Sequence, residues 1–162
     1  MLFRSNSRKP AVLITTGAVS AGDADFIPKV GERLGFKALF HKVAIRPGKP
    51  VYLAVKDSVV WLGLPGNPIS TCVGWHYFAR PLLDAVARIP APDKVQLVLK
   101  NEVKKPEGLR CFYRAEVNGG RAWVAQRQGS AQFAASITSE AYVELPEGAS
   151  RSEEHTSELQ SH

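Results

Sequence analysis

The chain has 162 residues, with 21 lysines and arginines against 15 aspartates and glutamates and a formal charge of +6. Hydrophobic residues make up 44% and charged residues 22%, the balance of an ordinary globular protein with room for one good core or two small ones. No apolar run approaches the roughly 20 residues of a membrane helix and no leader pattern opens the chain, so a cytoplasmic protein without a membrane partner is expected. The basic residues are scattered and not interleaved with aromatics, which argues against nucleic acid and for a small anionic ligand.

In chain order, Ala11 to Thr16 reads as a buried strand. A loop from Gly17 to Gly22 leads into a helix over Asp25 to Leu34, with Phe26, Ile27, Val30 and Leu34 at helical spacing and Gly35 as its stop. Leu39 to Ile45 and Val51 to Val55 read as strands around an Arg46-Pro47-Gly48-Lys49-Pro50 turn. Val59 to Leu62 follows an Asp57-Ser58 turn, and Ile69 to Ala87 is the longest helix. This alternation predicts an α/β fold, helices on a largely parallel sheet. Ile89 to Asp93, with two prolines, reads as a linker. Beyond it the period falls to two: Val95-Leu97-Leu99, Phe112-Arg114-Glu116 and Trp123-Ala125 predict short antiparallel strands, with Asn118-Gly119-Gly120 as a hairpin turn. The domains expected are an α/β unit over 6–89 and a small, truncated, barrel-like β unit over 94–150.

The ends differ. Leu2 to Ser5 and Arg151 to His162 resemble in-frame translations of sequencing adapters, so 1–5 and 151–162 are set aside as artefact. The tail holds one aliphatic residue, Leu159, and is expected to be disordered, packing against nothing and leaving an open sheet edge. Cys72 and Cys111 are far apart without a CxxC neighbour, so no zinc site or disulfide framework is expected, and Cys72 reads as a small core residue.

The densest motif is Gly-Leu-Pro-Gly-Asn-Pro-Ile-Ser, Gly63 to Ser70. Asn67 reads as an N-cap and Pro68 as N1, with the amides of Ile69 and Ser70 free to meet an anion at the helix start. The alternative is a sharp turn between two core elements. Two further segments, Thr15 to Phe26 and Ala44 to Pro50, could open on the same sheet edge. Asp25 and Asp23 are each placed to cap the first helix. Lys42 and Lys49 could neutralise phosphate or be solvated surface lysines.

With TTGAVSAGDADF, HKVAIRPGKP, GLPGNPIS, Phe112-Tyr113-Arg114 and Gly129-Ser130 near LPEG, residues from about 10 to 150 resemble the C-terminal half of molybdopterin molybdenumtransferases, gephyrin E domains included. The resemblance implies a reaction in which adenylylated molybdopterin and molybdate give molybdenum cofactor and AMP, with magnesium, in a cytoplasmic homodimer. It implies catalytic roles for Asp25 and Lys42. Molybdate contacts would come from Arg46, Pro47, Ser70, Arg114 and Ser136, the last near Ala134-Ala135, where relatives carry a serine pair. Molybdopterin or nucleotide contacts would come from Thr16, Gly17, Ser20, Gly22, Lys49, Gly66 and Asn67, and metal ligation from Asp25 and Asp23. Arg46 stands where many relatives have lysine. Arg46, Ser70 and Arg114 are expected to converge on one pocket. The alternatives are a related molybdopterin-binding domain of other activity and a gephyrin-like scaffold.

Overall fold

The computed structural model describes residues 12–19, 26–93, 95–124 and 141–148, with the backbone strand Thr156–Gln160. Two sheets organise it. The first is ordered β1 (Val12–Thr16), β5 (Val59–Leu64), β4 (Tyr52–Lys56), β2 (Lys37–His41). The α/β class is as expected, but of its three pairings only β1 with β5 is parallel; β4 runs antiparallel to both β5 and β2. The cause is local: β4 and β5 are joined by the two residues Asp57 and Ser58, with Asp57 at φ +52°, and so short a turn can join only antiparallel strands.

α1 (Phe26–Arg33) ends as the sequence predicts: Gly35 takes φ +78°, its N–H reaches the Glu32 carbonyl at 2.9 Å, and Phe36 N–H reaches Gly31 at 2.8 Å. Its buried face differs from the expected one. Phe26, Val30 and Leu34 are exposed, while Ile27 and Gly31 turn inward. The core below is aromatic, with Trp61 edge-on to both Phe36 and Tyr52, and the Tyr52 hydroxyl occupies the space a side chain at residue 31 would need. Glycine there lets the helix approach, which a pattern of apolar residues does not reveal.

The predicted long helix is present but interrupted: α2 (Pro68–Gly74) passes through a π-helical turn, Trp75–Ala79, into α3 (Arg80–Ala87). Pro81 has no N–H to return to the preceding turn, and the Arg80 N–H instead reaches the Trp75 carbonyl five residues back.

The second sheet holds β3 (Ile45–Arg46), β6 (Val95–Leu99), β7 (Arg110–Asn118), β8 (Arg121–Val124), β9 (Ala141–Leu145) and β10 (Thr156–Gln160). Gly119 and Gly120, both at positive φ, make the predicted β7–β8 hairpin turn. The strand expected over Leu39 to Ile45 is two strands. β2 stops at His41, and β3 leaves the first sheet to pair in parallel with β7, so the α/β part reaches into the second sheet. The tail expectation is overturned: β10 lies antiparallel between β6 and β9, where an open edge was expected. Two strands with unfilled rows of N–H and C=O groups accept a third through its backbone, whatever its apolar content. The interior of this sheet is aliphatic, formed by residues such as Leu97, Leu99, Val124, Val143 and Leu145.

Candidate functional site

β1 and β5 are parallel and in register from Val12 opposite Val60 to Thr16 opposite Leu64, so the chain leaves both at the same sheet edge. Ligand sites in α/β sheets form at such carboxyl ends. Gly17, at φ +84°, donates its N–H to the Leu64 carbonyl at 2.9 Å, and a Cβ on Gly66 would stand 3.2 Å from the Gly17 Cα. The two glycines let the loops touch backbone to backbone. The third segment joins them. Gly48, at φ +108°, sits where a Cβ would lie 3.6 Å from the Ser70 carbonyl oxygen and 3.3 Å from Ile45. All three motif loops therefore gather at one edge.

Asn67 caps α2 as predicted, its Oδ1 accepting from Ile69 N–H at 3.1 Å and Ser70 N–H at 3.3 Å. This corrects one expectation, since those two amides are taken by the cap and are not open to an anion. Among the described residues, donors on the exposed side of the seam include the Thr16 hydroxyl and the Asn67 side-chain amide. Ser70 is buried. The Lys42–Val51 loop is closed by Lys42 N–H to the Val51 carbonyl and Val43 N–H to the Lys49 carbonyl, both 2.9 Å, and it holds the Lys42 and Lys49 side chains in solvent. Pro47 follows a cis peptide bond in the same loop.

Arg46, Ser70 and Arg114 do not share one face. β3 pairs Ile45 with Arg110 and Arg46 with Cys111, and paired residues point the same way. Ile45 accordingly packs with Phe112 and Val73 of α2, whereas Arg46 exerts its field on Cys111 and Tyr113. Arg114, two residues from Phe112, is on the α2 side and only 2% exposed. Opposite it in β9 stands Tyr142, whose pKa is raised by burial and by Cys72 of α2, with Arg114 pulling it down. Arg114 and α2 are thus neighbours, and Arg46 lies on the other face of β7. Ser20, Gly22, Asp23, Asp25 and Ser136 lie outside the described residues.

One cluster escaped the sequence reading. Arg110 donates through Nη1 to the Tyr77 hydroxyl at 2.9 Å and to Glu144 Oε1, and its guanidinium lies 5.9 Å from the Tyr77 ring centre. Burial lowers the Arg110 pKa, but Glu144 and Tyr77 outweigh it and the net shift is upward. This ties the π-helical turn to β7 and β9 beside Arg114. The signal was available: residues 110, 112 and 114 alternate onto one face of β7, as do 142 and 144 on β9.

Residues 2–85 match the family described as a probable molybdopterin binding domain. The chain is 45% identical over 140 residues to the molybdopterin molybdenumtransferase of Synechococcus elongatus, covering 85% of this chain and 34% of that protein. It is 34% identical over 147 residues to the one from Bacillus subtilis, covering 87% and 34%. The crystal structure of the molybdopterin biosynthesis moeA protein from Pyrococcus horikosii superposes with a TM-score of 0.69 at 27% identity, over 92% of this chain and 36% of that one. The chain spans about a third of the length of these proteins. With the paired glycine loops and the Asn67-capped helix at one sheet edge, and with relatives of this similarity along most of its length, the chain belongs to the molybdopterin-binding domain family.

Proposed function

We propose that the chain supplies the anion-handling edge of a molybdopterin molybdenumtransferase, the activity for which its Synechococcus and Bacillus relatives are named. The observation that carries this reading is the seam itself, where Gly17 meets Gly66 and Gly48 meets the Ser70 carbonyl. The reaction brings together two anions, molybdate and the adenylylated molybdopterin, and needs fixed donors and cations at one edge. Thr16, Gly66 and Asn67 are exposed there and serve the pterin or nucleotide, with Lys42 and Lys49 supplying positive charge from the adjoining loop. Ser70 and Arg114, one on α2 and the other on the β7 face turned to it, serve molybdate, with Pro47 shaping the turn. Arg46 acts from a different face and neutralises charge at longer range.

Magnesium, a homodimer and a cytoplasmic setting belong to the same proposal. Among the described residues no three His, Cys, Asp or Glu side chains gather as a metal site, and Asp23 and Asp25 lie outside them, so no step is routed through the ion. The test is a chimera in which this chain replaces the matching third of the Synechococcus relative. Molybdate-dependent AMP release from adenylylated molybdopterin is expected, with Ser70→Ala and Arg114→Gln each raising the molybdate requirement about tenfold or more. A folded chimera that releases no AMP, or whose molybdate requirement ignores both substitutions, overturns the assignment.

A further inference from the structure

On the outer face of the β unit, away from the loop seam, lies a cleft of about 430 Å³ lined by Lys100, Glu116, Asn118, Gly119, Arg121 and Trp123. Its layout follows from strand register. Trp123 stands opposite Glu116 of β7, and Arg121 opposite Asn118. On the other side β6 sets Val98 beside Arg121 and Leu99 beside Ala122, so the next residue, Lys100, falls beside Trp123. Leu99, Ala122 and Val124 point into the core, and the intervening residues all face solvent.

Three properties combine in this array. The Trp123 indole is 59% exposed, a large apolar area to leave in water. Lys100 and Arg121 flank it, and neither is ion-paired among the described residues. Glu116 stands on the far side of the indole from Lys100, and Arg121 lies two residues along β8 from the indole, diagonal to both, so the ammonium and the hydrogen-bond acceptor are on opposite sides of one aromatic platform with the guanidinium beside it.

We propose that this cleft binds an amino-purine nucleoside phosphate. The base stacks on Trp123, the phosphate meets Arg121 and Lys100, and the exocyclic N–H of the base donates to Glu116. Glu116 sets the orientation, because a phosphate at its end would meet a like charge. The guanidinium of Arg121 offers a phosphate two parallel donors, which an ammonium cannot. The site is separate from the seam and does not depend on the reaction proposed for it.

The experiment is calorimetric titration of the full chain with AMP, IMP, ribose 5-phosphate and a short oligoadenylate. AMP is expected to bind, with Trp123→Ala and Arg121→Gln each weakening it about tenfold, as loss of one stacking or one bidentate phosphate contact implies. IMP, which lacks the amino group, is expected to bind more weakly than AMP, and Glu116→Gln to erase that difference. All three side chains are on the surface, so unchanged circular dichroism is expected of the variants. AMP binding that ignores Trp123→Ala and Arg121→Gln overturns the proposal and points to the loop seam instead. Ribose 5-phosphate binding as tightly as AMP overturns it in favour of a simple anion patch. An oligoadenylate whose affinity climbs with length far above that of AMP overturns it in favour of single-stranded nucleic acid.

Discussion

The two cores are stabilised in different ways. Beneath α1 the packing is aromatic and crowded, with Tyr52, Trp61 and Phe36 meeting edge to face and glycines at residues 31 and 63 making room for them. Trp61 also donates to the Thr15 hydroxyl at 3.0 Å. The core of the second sheet is aliphatic, but that region also buries charge: Lys105, Arg114 and Glu144 are all under a tenth exposed. A crowded apolar core is sensitive to volume. A core ringed by buried charges is sensitive to the loss of a polar partner, because a desolvated group left unpaired costs more than a paired one contributes. The first region should therefore fail under added atoms and the second under removed ones.

The largest effect is expected in the second region. Lys105 is 8% exposed, and its Nζ donates to the carbonyls of Leu109 at 2.8 Å and Glu147 at 2.9 Å, pinning the segment before β7 to the end of β9. Lys105→Met keeps the volume but strips these carbonyls of a charged donor, and a loss of about 3 kcal/mol is expected in urea unfolding. A loss well under 1 kcal/mol would mean that the carbonyls simply rehydrate, and the contrast between the regions would fail. In the first region Gly31→Ala drives a Cβ into the Tyr52 hydroxyl oxygen, and about 2 kcal/mol of destabilisation is expected. The next nearest atom, Tyr52 Cζ, is at 3.3 Å, so Tyr52→Phe should restore most of the stability in the double variant. Alanine is the better helix former, so a stabilised single variant would show that the crowding is absorbed.

What the sequence discloses follows the same division. Local chemistry is legible: Asn67-Pro68 starts α2, Gly35 ends α1, and Gly119-Gly120 turns the hairpin, because each acts through its own backbone. Gathering the three motif loops at one edge was also within reach, since strands that precede Gly-rich turns commonly end together. Partner choice was not. Nothing local tells β3 to abandon β2 and pair with β7, and Arg46 was carried with it to a face away from Arg114. The tail shows the converse error: composition suggested no packing, yet β10 is held by backbone pairing that composition does not describe. Gly31 was overlooked because a core position filled from across the interface carries no apolar residue of its own.

A smaller effect tests the seam. Asn67→Ala removes the acceptor for two amides and should cost about 1 kcal/mol, while Asn67→Asp should be nearly neutral in stability. The aspartate nonetheless places a negative charge where an anion is proposed to bind. In the chimera it should raise the molybdate or adenylate requirement at unchanged melting temperature. If affinity tracks stability in both variants, Asn67 is a cap and nothing more.

The smallest effect is a pH dependence that again separates the regions. The Tyr113 pKa is pushed up to about 12, first by burial and then by the neighbouring Cys111 thiol, with Arg46 opposing, and its hydroxyl donates to the Lys104 carbonyl at 3.2 Å. In the unfolded chain the same phenol titrates near 10.0. A raised pKa means that the folded state holds its proton more tightly, so this stabilisation is complete below pH 10 and disappears as the pH climbs from 10 to about 12. The hydroxyl is partly exposed, so screening by water keeps the gain small. Tyr52, raised by burial and then by Glu32, adds a loss in the same direction from the α/β core. Tyr113→Phe should remove only the Tyr113 share of the alkaline decline, leaving the shares of Tyr142 and Cys111 in the second sheet and of Tyr52 in the aromatic core, read as tyrosinate absorbance against circular dichroism. A decline of unaltered slope would show that Tyr113 contributes none of the alkaline sensitivity.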